Sequence, residues 1–187
     1  MAAGYRRSLG RTVLFALTYA AACYIGRRLL LGNHVNLVWP AAGVGVVWFC
    51  AHRRAPTRHL DMLLLALAVG GVDWLTGAAP VIGVVAGIVG LVQVTVFLRL
   101  LRRWAPHLWG AGGNAPLRCP RDLWALLGAG FAATVVANAV SMLGRWMVTG
   151  SVPVAINAMS MARHTASIMI IGSVGICAGA AISRLPA

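Results

Sequence analysis

The chain contains no lysine and no glutamate, and its only acids are Asp61, Asp73 and Asp122. With 10% charged and 60% hydrophobic residues over 187 positions, it has too few polar side chains to cover a globule in water. The same hydrophobicity excludes a disordered chain, which needs low hydrophobicity and high charge. The composition therefore predicts an all-α integral membrane protein, a polytopic helical bundle that forms a single domain over residues 1–187.

Cysteine is sparse, and Cys23, Cys50, Cys119 and Cys177 lie far apart with no C-x-x-C pair among them. This spacing excludes a disulfide scaffold and indicates no metal site, so buried free thiols are expected. Catalytic motifs are missing as well, since the chain has no H-E-x-x-H, no phosphate-binding loop and no G-x-S-x-G. We therefore expect a protein that is not an enzyme, and the cofactor is unknown from the sequence.

All sixteen cationic side chains are arginines, and they give the chain a formal net charge of +13. Because these arginines lie between apolar runs and form no basic face, nucleic acid is not expected as a partner. The lipid bilayer is the expected partner, since loop arginines orient membrane spans and contact anionic headgroups.

Six apolar stretches approach the length of about 20 residues that a helix needs to cross a bilayer. The last stretch is too long for one straight span, so it is expected to kink or to lie partly outside the membrane. In the fourth, Gly83-x-x-x-Gly87 allows a neighbouring helix to approach closely. The predicted spans are Thr12–Leu31, Val35–Ala51, Leu60–Ala78, Val81–Leu101, Asp122–Leu143 and Val154–Ile182.

The arginines between these stretches predict the orientation of the bundle. Three of them, Arg27, Arg28 and Arg145, fall on one side of the membrane, and twelve fall on the other. The positive-inside rule then places both termini in the cytoplasm, with the chain crossing the cell membrane several times. Residues 1–11 become a cytoplasmic N-terminal segment, and residues 102–121 become a cytoplasmic interfacial loop. The twelve are Arg6, Arg7, Arg11, Arg53, Arg54, Arg58, Arg99, Arg102, Arg103, Arg118, Arg121 and Arg184.

Several polar or amphipathic side chains fall inside the apolar stretches or at their ends, where a polar group needs a partner or a function. With the N-terminus inside, the direction of each span brings most of them to the outer half of the membrane. We predict that they form an outward-facing polar pocket for a signal or small ligand, with the alternative that they only hold helices together. The set is Trp39, Asp73, Gln93, Asn138, Asn157, Arg163 and His164.

An ion pair is expected between Asp73 and Arg163, because each is the only residue of its charge well inside an apolar stretch. An isolated charge there costs about 2.5–3.5 kcal/mol on insertion scales, so mutual compensation is favoured. Pro40 is expected to start or to kink the second span, and Gly43 thins that helix where another helix can pack.

The segment Asn36–Trp48, which reads NLVWPAAGVGVVW, contains a W-P-x-x-G turn that opens an early span. It resembles the signature of the membrane-associated sensor domain of the first type, the MASE family, with Trp39, Pro40 and Gly43 as matching residues. Later segments of the chain are similar to that family too, and the resemblance covers about Val35 to Gly179. These segments are Leu98–Arg103, Arg118–Leu127 and Ala162–Gly172, with Arg121, Asp122 and Gly172 as less specific matches.

The resemblance implies a bacterial sensory input domain that passes a signal to a cytoplasmic output module, of the diguanylate cyclase or histidine kinase type, fused or in trans. It also implies homodimerisation, because both output classes work as dimers. Two other classes stay open. The span count and outward pocket are similar in architecture to the substrate-capturing subunit of energy-coupling-factor transporters. A structural or assembly protein would use the same polar residues only to join helices.

Overall fold

The computed structural model describes residues 2–31, 35–36, 39–151 and 154–184, and these residues are helical almost throughout. Within them, six helical stretches follow one another, and a short antiparallel pairing of strands β1 and β2 lies between the first two. The sixth stretch is a continuous rod, in which a π-helical turn over Ile168–Gly172 connects helices α6 and α7. The elements are α1 Ala2–Arg28, β1 Leu30–Leu31, β2 Val35–Asn36, α2 Pro40–Ala51, α3 Arg58–Leu75, α4 Pro80–Trp104, α5 Pro120–Thr149, α6 Val154–Ser167 and α7 Ser173–Ile182.

Four of the described helices are long and apolar enough to cross a membrane, namely α1, α4, α5 and the α6–α7 rod. Helix α2 has 12 residues, which at 1.5 Å per residue span only about 18 Å of a hydrocarbon core about 30 Å thick. Helix α3 is longer, at 18 residues, but it carries Arg58, Asp61 and Asp73. The predicted helical class is confirmed, and helix length and composition support four of the six predicted spans.

Prolines set the start of three helices. Pro40, Pro80 and Pro120 stand at the first positions of α2, α4 and α5, where the missing N–H costs nothing and the fixed φ suits a helix. Pro40 therefore starts the second helix rather than kinking it, and the predicted stretch Val35–Ala51 is α-helical only from Pro40. Helix α5 ends in a left-handed cap at Gly150, whose φ is 69°.

The helices pack around a core to which every stretch contributes. Helix α4 packs along both α3 and α5, while α1 packs on α2 and α3, and the rod packs on α2 and α5. A Cβ added at Gly83 would lie 2.8 Å from the carbonyl oxygen of Gly70, so the backbones of α3 and α4 touch. This confirms the close approach predicted from the glycine spacing. Fully buried core side chains include Trp48, Phe49, Leu65, Phe97, Leu126 and Ile168.

The outer faces of the helices carry large apolar side chains. Leu14, Leu17, Trp124, Ile170 and Val174 are each more than 60% exposed. A water-soluble monomer rarely exposes extended apolar surface of this kind, whereas a lipid-facing helix requires it. The burial pattern therefore agrees with the composition.

Successive helices run in opposite directions, which defines two ends of the bundle. The end that holds Arg27, where α1, α3 and α5 finish, is named the Arg27 end. The opposite end, where α1, α3 and α5 begin, is named the Arg53 end. Residues 2–11, predicted as a separate segment, form the first turns of α1.

The connection between α4 and α5 is shorter than the predicted loop over residues 102–121, because α4 continues through Trp104. Residues 105–119 remain outside the helices, and Leu108 within them is fully buried. Trp109 packs against Gly179, and Gly110 packs against Cys50, so this connection covers the Arg53 end of α2 and of the rod.

Candidate functional site: a polar cavity at the Arg27 end

A polar cavity of about 130 Å³ lies at the Arg27 end, enclosed by residues of all six helical stretches. The structure brings six of the seven predicted residues to its wall. The seventh, Asn157, has a side chain that lies outside the described part of the structure. The six are Trp39, Asp73, Gln93, Asn138, Arg163 and His164.

Asp73 forms an ion pair with Arg27 and not with Arg163. The Nε of Arg27 donates to Oδ1 of Asp73 at 3.0 Å, and its Nη2 approaches the same oxygen. The side chain of Asp73 is 3% exposed and that of Arg27 is 30% exposed. The expected pairing of Asp73 with Arg163 is therefore wrong. Helix α1 continues to Arg28 and packs on α3. This packing brings Arg27 to the buried carboxylate of Asp73.

The indole ring of Trp39 contacts two arginines and a histidine on one wall of the cavity. Its indole stacks on the imidazole of His164, with ring centroids 5.9 Å apart and planes 6° apart. The guanidinium carbons of Arg27 and Arg163 lie 5.7 Å and 5.6 Å from the indole centroid, within the range of a cation–π interaction. Gly26 makes room for the ring, since a Cβ there would lie 2.8 Å from it. Trp39 thus links α1, α2 and α6 at this end.

Gln93 forms a second, buried link between helices. Its Nε2 donates to Oγ1 of Thr134 at 3.1 Å and lies 3.3 Å from Nδ1 of His164. Thr134 in turn donates to the carbonyl oxygen of Gly130 at 2.8 Å. Because a buried amide needs partners, these bonds hold α4, α5 and α6 in register beside the cavity.

The charge on the cavity wall is unbalanced. Three arginines, Arg27, Arg145 and Arg163, line it, and Asp73 is the one acid among the described lining residues. Arg27 and Arg145 were predicted only as charges that orient the spans, and not as wall residues. The available signal was that Arg27 and Arg145 were both counted on the same side of the membrane.

Ser167 connects the cavity helix to the start of α2. The backbone N–H of Gly43 donates to Oγ of Ser167 at 3.1 Å, and that hydroxyl donates to the carbonyl oxygen of Pro40 at 3.2 Å. A Cβ on Gly43 would lie 2.5 Å from the backbone oxygen of Ser167, so glycine is required for this approach. The sequence reading missed Ser167, and the π-helical turn begins directly after it, at Ile168.

A second polar cluster, centred on Asp61, lies at the Arg53 end. Oδ1 of Asp61 accepts from Oγ1 of Thr12 at 2.7 Å and from Nε1 of Trp48 at 3.1 Å. Nδ1 of His52 lies 3.1 Å from both carboxylate oxygens. Thr12, His52 and Asp61 are each at most 3% exposed. Asp61 therefore joins α1, α2 and α3 through a bonded, buried network that the sequence reading did not identify.

The connection between α4 and α5 is fixed by the third acid. Oδ1 of Asp122 lies 2.9 Å from Nε2 of His107, and Oδ2 accepts from the backbone N–H of Arg118 at 3.0 Å. In the connection between α2 and α3, burial lowers the pKa of the Arg53 guanidinium, and the charge of Arg54 lowers it further.

Across the described residues, no three His, Cys or Asp side chains come together to hold a metal ion.

Comparison of the chain with protein-family models, with curated proteins and with solved structures gives no match. The resemblance of Asn36–Trp48 to the membrane-associated sensor family therefore stays a prediction. The fold and the cavity define a class by themselves. The protein is a helical bundle with four described helices able to cross a membrane and an arginine-rich cavity at one end.

Proposed function

We propose that this chain is a membrane-embedded sensory input domain, whose cavity at the Arg27 end receives a signal and whose last helix passes it on. Four long apolar helices support insertion into a bilayer. Six apolar stretches predict six spans, and the arginine distribution supports a cytoplasmic position for both termini. In that orientation the cavity faces outward. The far end of the rod then reaches the cytoplasm, where an output module of the diguanylate cyclase or histidine kinase type would read it.

The observation that carries the proposal is that one helix holds both the cavity wall and the contact with α2. Helix α6 supplies Arg163 and His164 to the cavity, and one turn later Ser167 bonds the first turn of α2. An occupant that binds one packing of this helix more tightly than another shifts the balance by that difference in affinity. The π-helical turn after Ser167 is the place where such a shift would enter α7, since π turns recur at functional positions in helices.

Ser167→Ala tests this coupling, because it removes both hydrogen bonds to α2 and leaves the Gly43 N–H without that acceptor. Loss of a buried hydrogen bond costs about 1–2 kcal/mol, which changes a two-state equilibrium by roughly five- to thirtyfold. The matched control is Ser173→Ala, because the Ser173 hydroxyl bonds only within the rod, to the carbonyl oxygen of Ile170 at 3.0 Å.

The readout is a chimaera in which a diguanylate cyclase reporter follows Ala187, assayed at equal membrane levels. We expect Ser167→Ala to change the basal output and Ser173→Ala to leave it at the wild-type value. Wild-type output from both variants would contradict the coupling through α6.

The two other classes of function make different predictions for the same residues. A solute-capturing subunit of a transporter would use the same cavity and would copurify with a coupling ATPase. A structural or assembly protein would use the polar side chains only to join helices, so cavity variants would change stability and nothing else.

A further inference from the structure

We infer that the cavity at the Arg27 end binds a small oxyanion, either a carboxylate or a phosphate group. This inference rests on the proposed function, because it names the chemical class of signal that the same cavity receives. Arg27, Arg145 and Arg163 line the cavity with three guanidinium groups, and Asp73 is the one carboxylate among the described lining residues. The described wall therefore carries three positive charges and one negative charge.

The arrangement of these arginines suits an anion. They come from three different helices, α1, α5 and α6, so an occupant between them would receive donors from three directions. A guanidinium presents a planar fork of N–H donors that matches the oxygens of a carboxylate or a phosphate. Arg27 is held in place by Asp73 and by the ring of Trp39. The donors are therefore partly ordered before anything binds.

Electrostatics favours filling such a cavity with negative charge. Like charges repel more strongly where the surroundings are less polar than water, and an excess of cations near a bilayer is costly. A bound anion would lower that repulsion. A cation would raise it, and a neutral solute would leave it unchanged, so the sign of the charge is the discriminating property.

The size of the cavity limits the occupant. Its volume is about 130 Å³, and an engineered protein cavity of about 150 Å³ holds benzene, a ring of six carbon atoms. Inorganic phosphate and a short dicarboxylate such as malonate are of this size. Ile82, Val85 and Val89 on the wall would cover the carbon atoms of such a ligand. The oxyanion has two sources, a free solute or the headgroup of an anionic lipid.

The test uses the full chain in nanodiscs of phosphatidylcholine, with melting temperature measured against the concentration of each probe at constant ionic strength. The probes are malonate and inorganic phosphate, with malonamide as the neutral counterpart of malonate. We expect both anions to raise the melting temperature and malonamide to have no effect. Nanodiscs containing phosphatidylglycerol form the second arm. If the lipid headgroup is the occupant, they raise the melting temperature without any probe and weaken the response to malonate.

Variants of opposite sign make the test specific. Arg163→Gln should weaken anion binding about tenfold or more, because it removes a charge-assisted donor. Asp73→Asn should strengthen binding, because it removes the opposing carboxylate, while the ring of Trp39 still holds Arg27. The matched control is Arg28→Gln, since the Nε of Arg28 donates to the hydroxyl of Tyr24 at 3.1 Å and Arg28 does not line the cavity. Arg145→Gln replaces Arg163→Gln if the latter fails to fold.

The outcomes separate this inference from the proposed function. Absence of any anion-dependent shift in either type of nanodisc overturns the inference, as does an equal response from Arg163→Gln and Arg28→Gln. Malonamide binding as strong as that of malonate, and dependent on Arg163, also overturns the anion class but leaves the sensory proposal standing. Anion binding of the expected kind, with no change in the output of the reporter chimaera, supports the inference and contradicts the proposed function.

Discussion

At the Arg53 end of the bundle, the buried carboxylate of Asp61 accepts hydrogen bonds from Thr12 and Trp48 and pairs with His52. At the Arg27 end, the buried carboxylate of Asp73 pairs with one of three arginines around a cavity of about 130 Å³. A buried carboxylate whose oxygens contact donors from neighbouring helices stabilises the packing of those helices. The cavity at the Arg27 end differs, because three arginines and one carboxylate line its described wall. We therefore propose that the first end serves mainly stability and that the second end serves binding.

The largest expected effect is on the Asp61 network. Asp61→Ala should lower the free energy of unfolding by about 3–5 kcal/mol, because it leaves the buried donors of Thr12 on α1 and of Trp48 on α2, and the imidazole of His52 after α2, without their acceptor. The measurement is an SDS or urea titration of the protein in detergent, and His59→Ala, an exposed neighbour on α3, is the control. An equal loss for the two variants would remove the distinction between the ends.

The next effect is on the contact that joins α2 to the rod. Gly43→Ala should cost about 1–3 kcal/mol, because its Cβ would meet the backbone of Ser167 at 2.5 Å and one of the helices must move. Gly71→Ala is the matched control, since nothing lies within 4 Å of a Cβ there. The same titration compares the two, and an unaffected Gly43→Ala variant would show that α2 and the rod do not pack this closely.

Asp73→Asn should cost less stability than Asp61→Ala, about 1–2 kcal/mol, because its partner Arg27 is 30% exposed and keeps contact with solvent. This substitution weakens the fold while it strengthens malonate binding, which is the opposite of what a purely structural ion pair predicts. Both quantities are measured on the same preparation of the variant. If Asp73→Asn lowers both the free energy of unfolding and the affinity for malonate, Asp73 is a structural residue like Asp61.

The smallest effect is expected on the connection between α4 and α5. His107→Ala should cost less than about 1 kcal/mol, because the side chain of His107 is 54% exposed and Asp122 keeps the backbone N–H of Arg118. Thermal unfolding with and without malonate is the measurement. A change in the malonate response would link this connection to the cavity and would contradict the separate roles of the two ends.

The sequence predicted the helices better than it predicted their contacts. Proline position marks Pro40 as the start or a kink of the second span, and apolar length gives a long last stretch, because both depend on local chain chemistry. The structure decides for a start at Pro40. Chain direction also gives the depth of a residue, and that was enough to group Trp39 with Asp73 and Gln93 at one cavity.

Depth alone does not say which way a side chain points around its helix. The pairing of Asp73 was therefore assigned to Arg163, whereas the structure pairs Asp73 with Arg27. The Asp61 network was missed for a related reason. Thr12, His52 and Asp61 lie near the ends of predicted spans, where polar residues are ordinary, and only tertiary packing shows that they are buried together.

The most direct test of the account is hydrogen–deuterium exchange of the full chain in nanodiscs, with and without malonate. We expect slower exchange of the backbone amides in residues 41–43 and 160–172 when malonate is present, and no change in residues 52–61. Those segments are the α2–rod contact and the Asp61 network, respectively. Protection spread equally over both ends, or confined to residues 52–61, would contradict the assignment of binding to the Arg27 end.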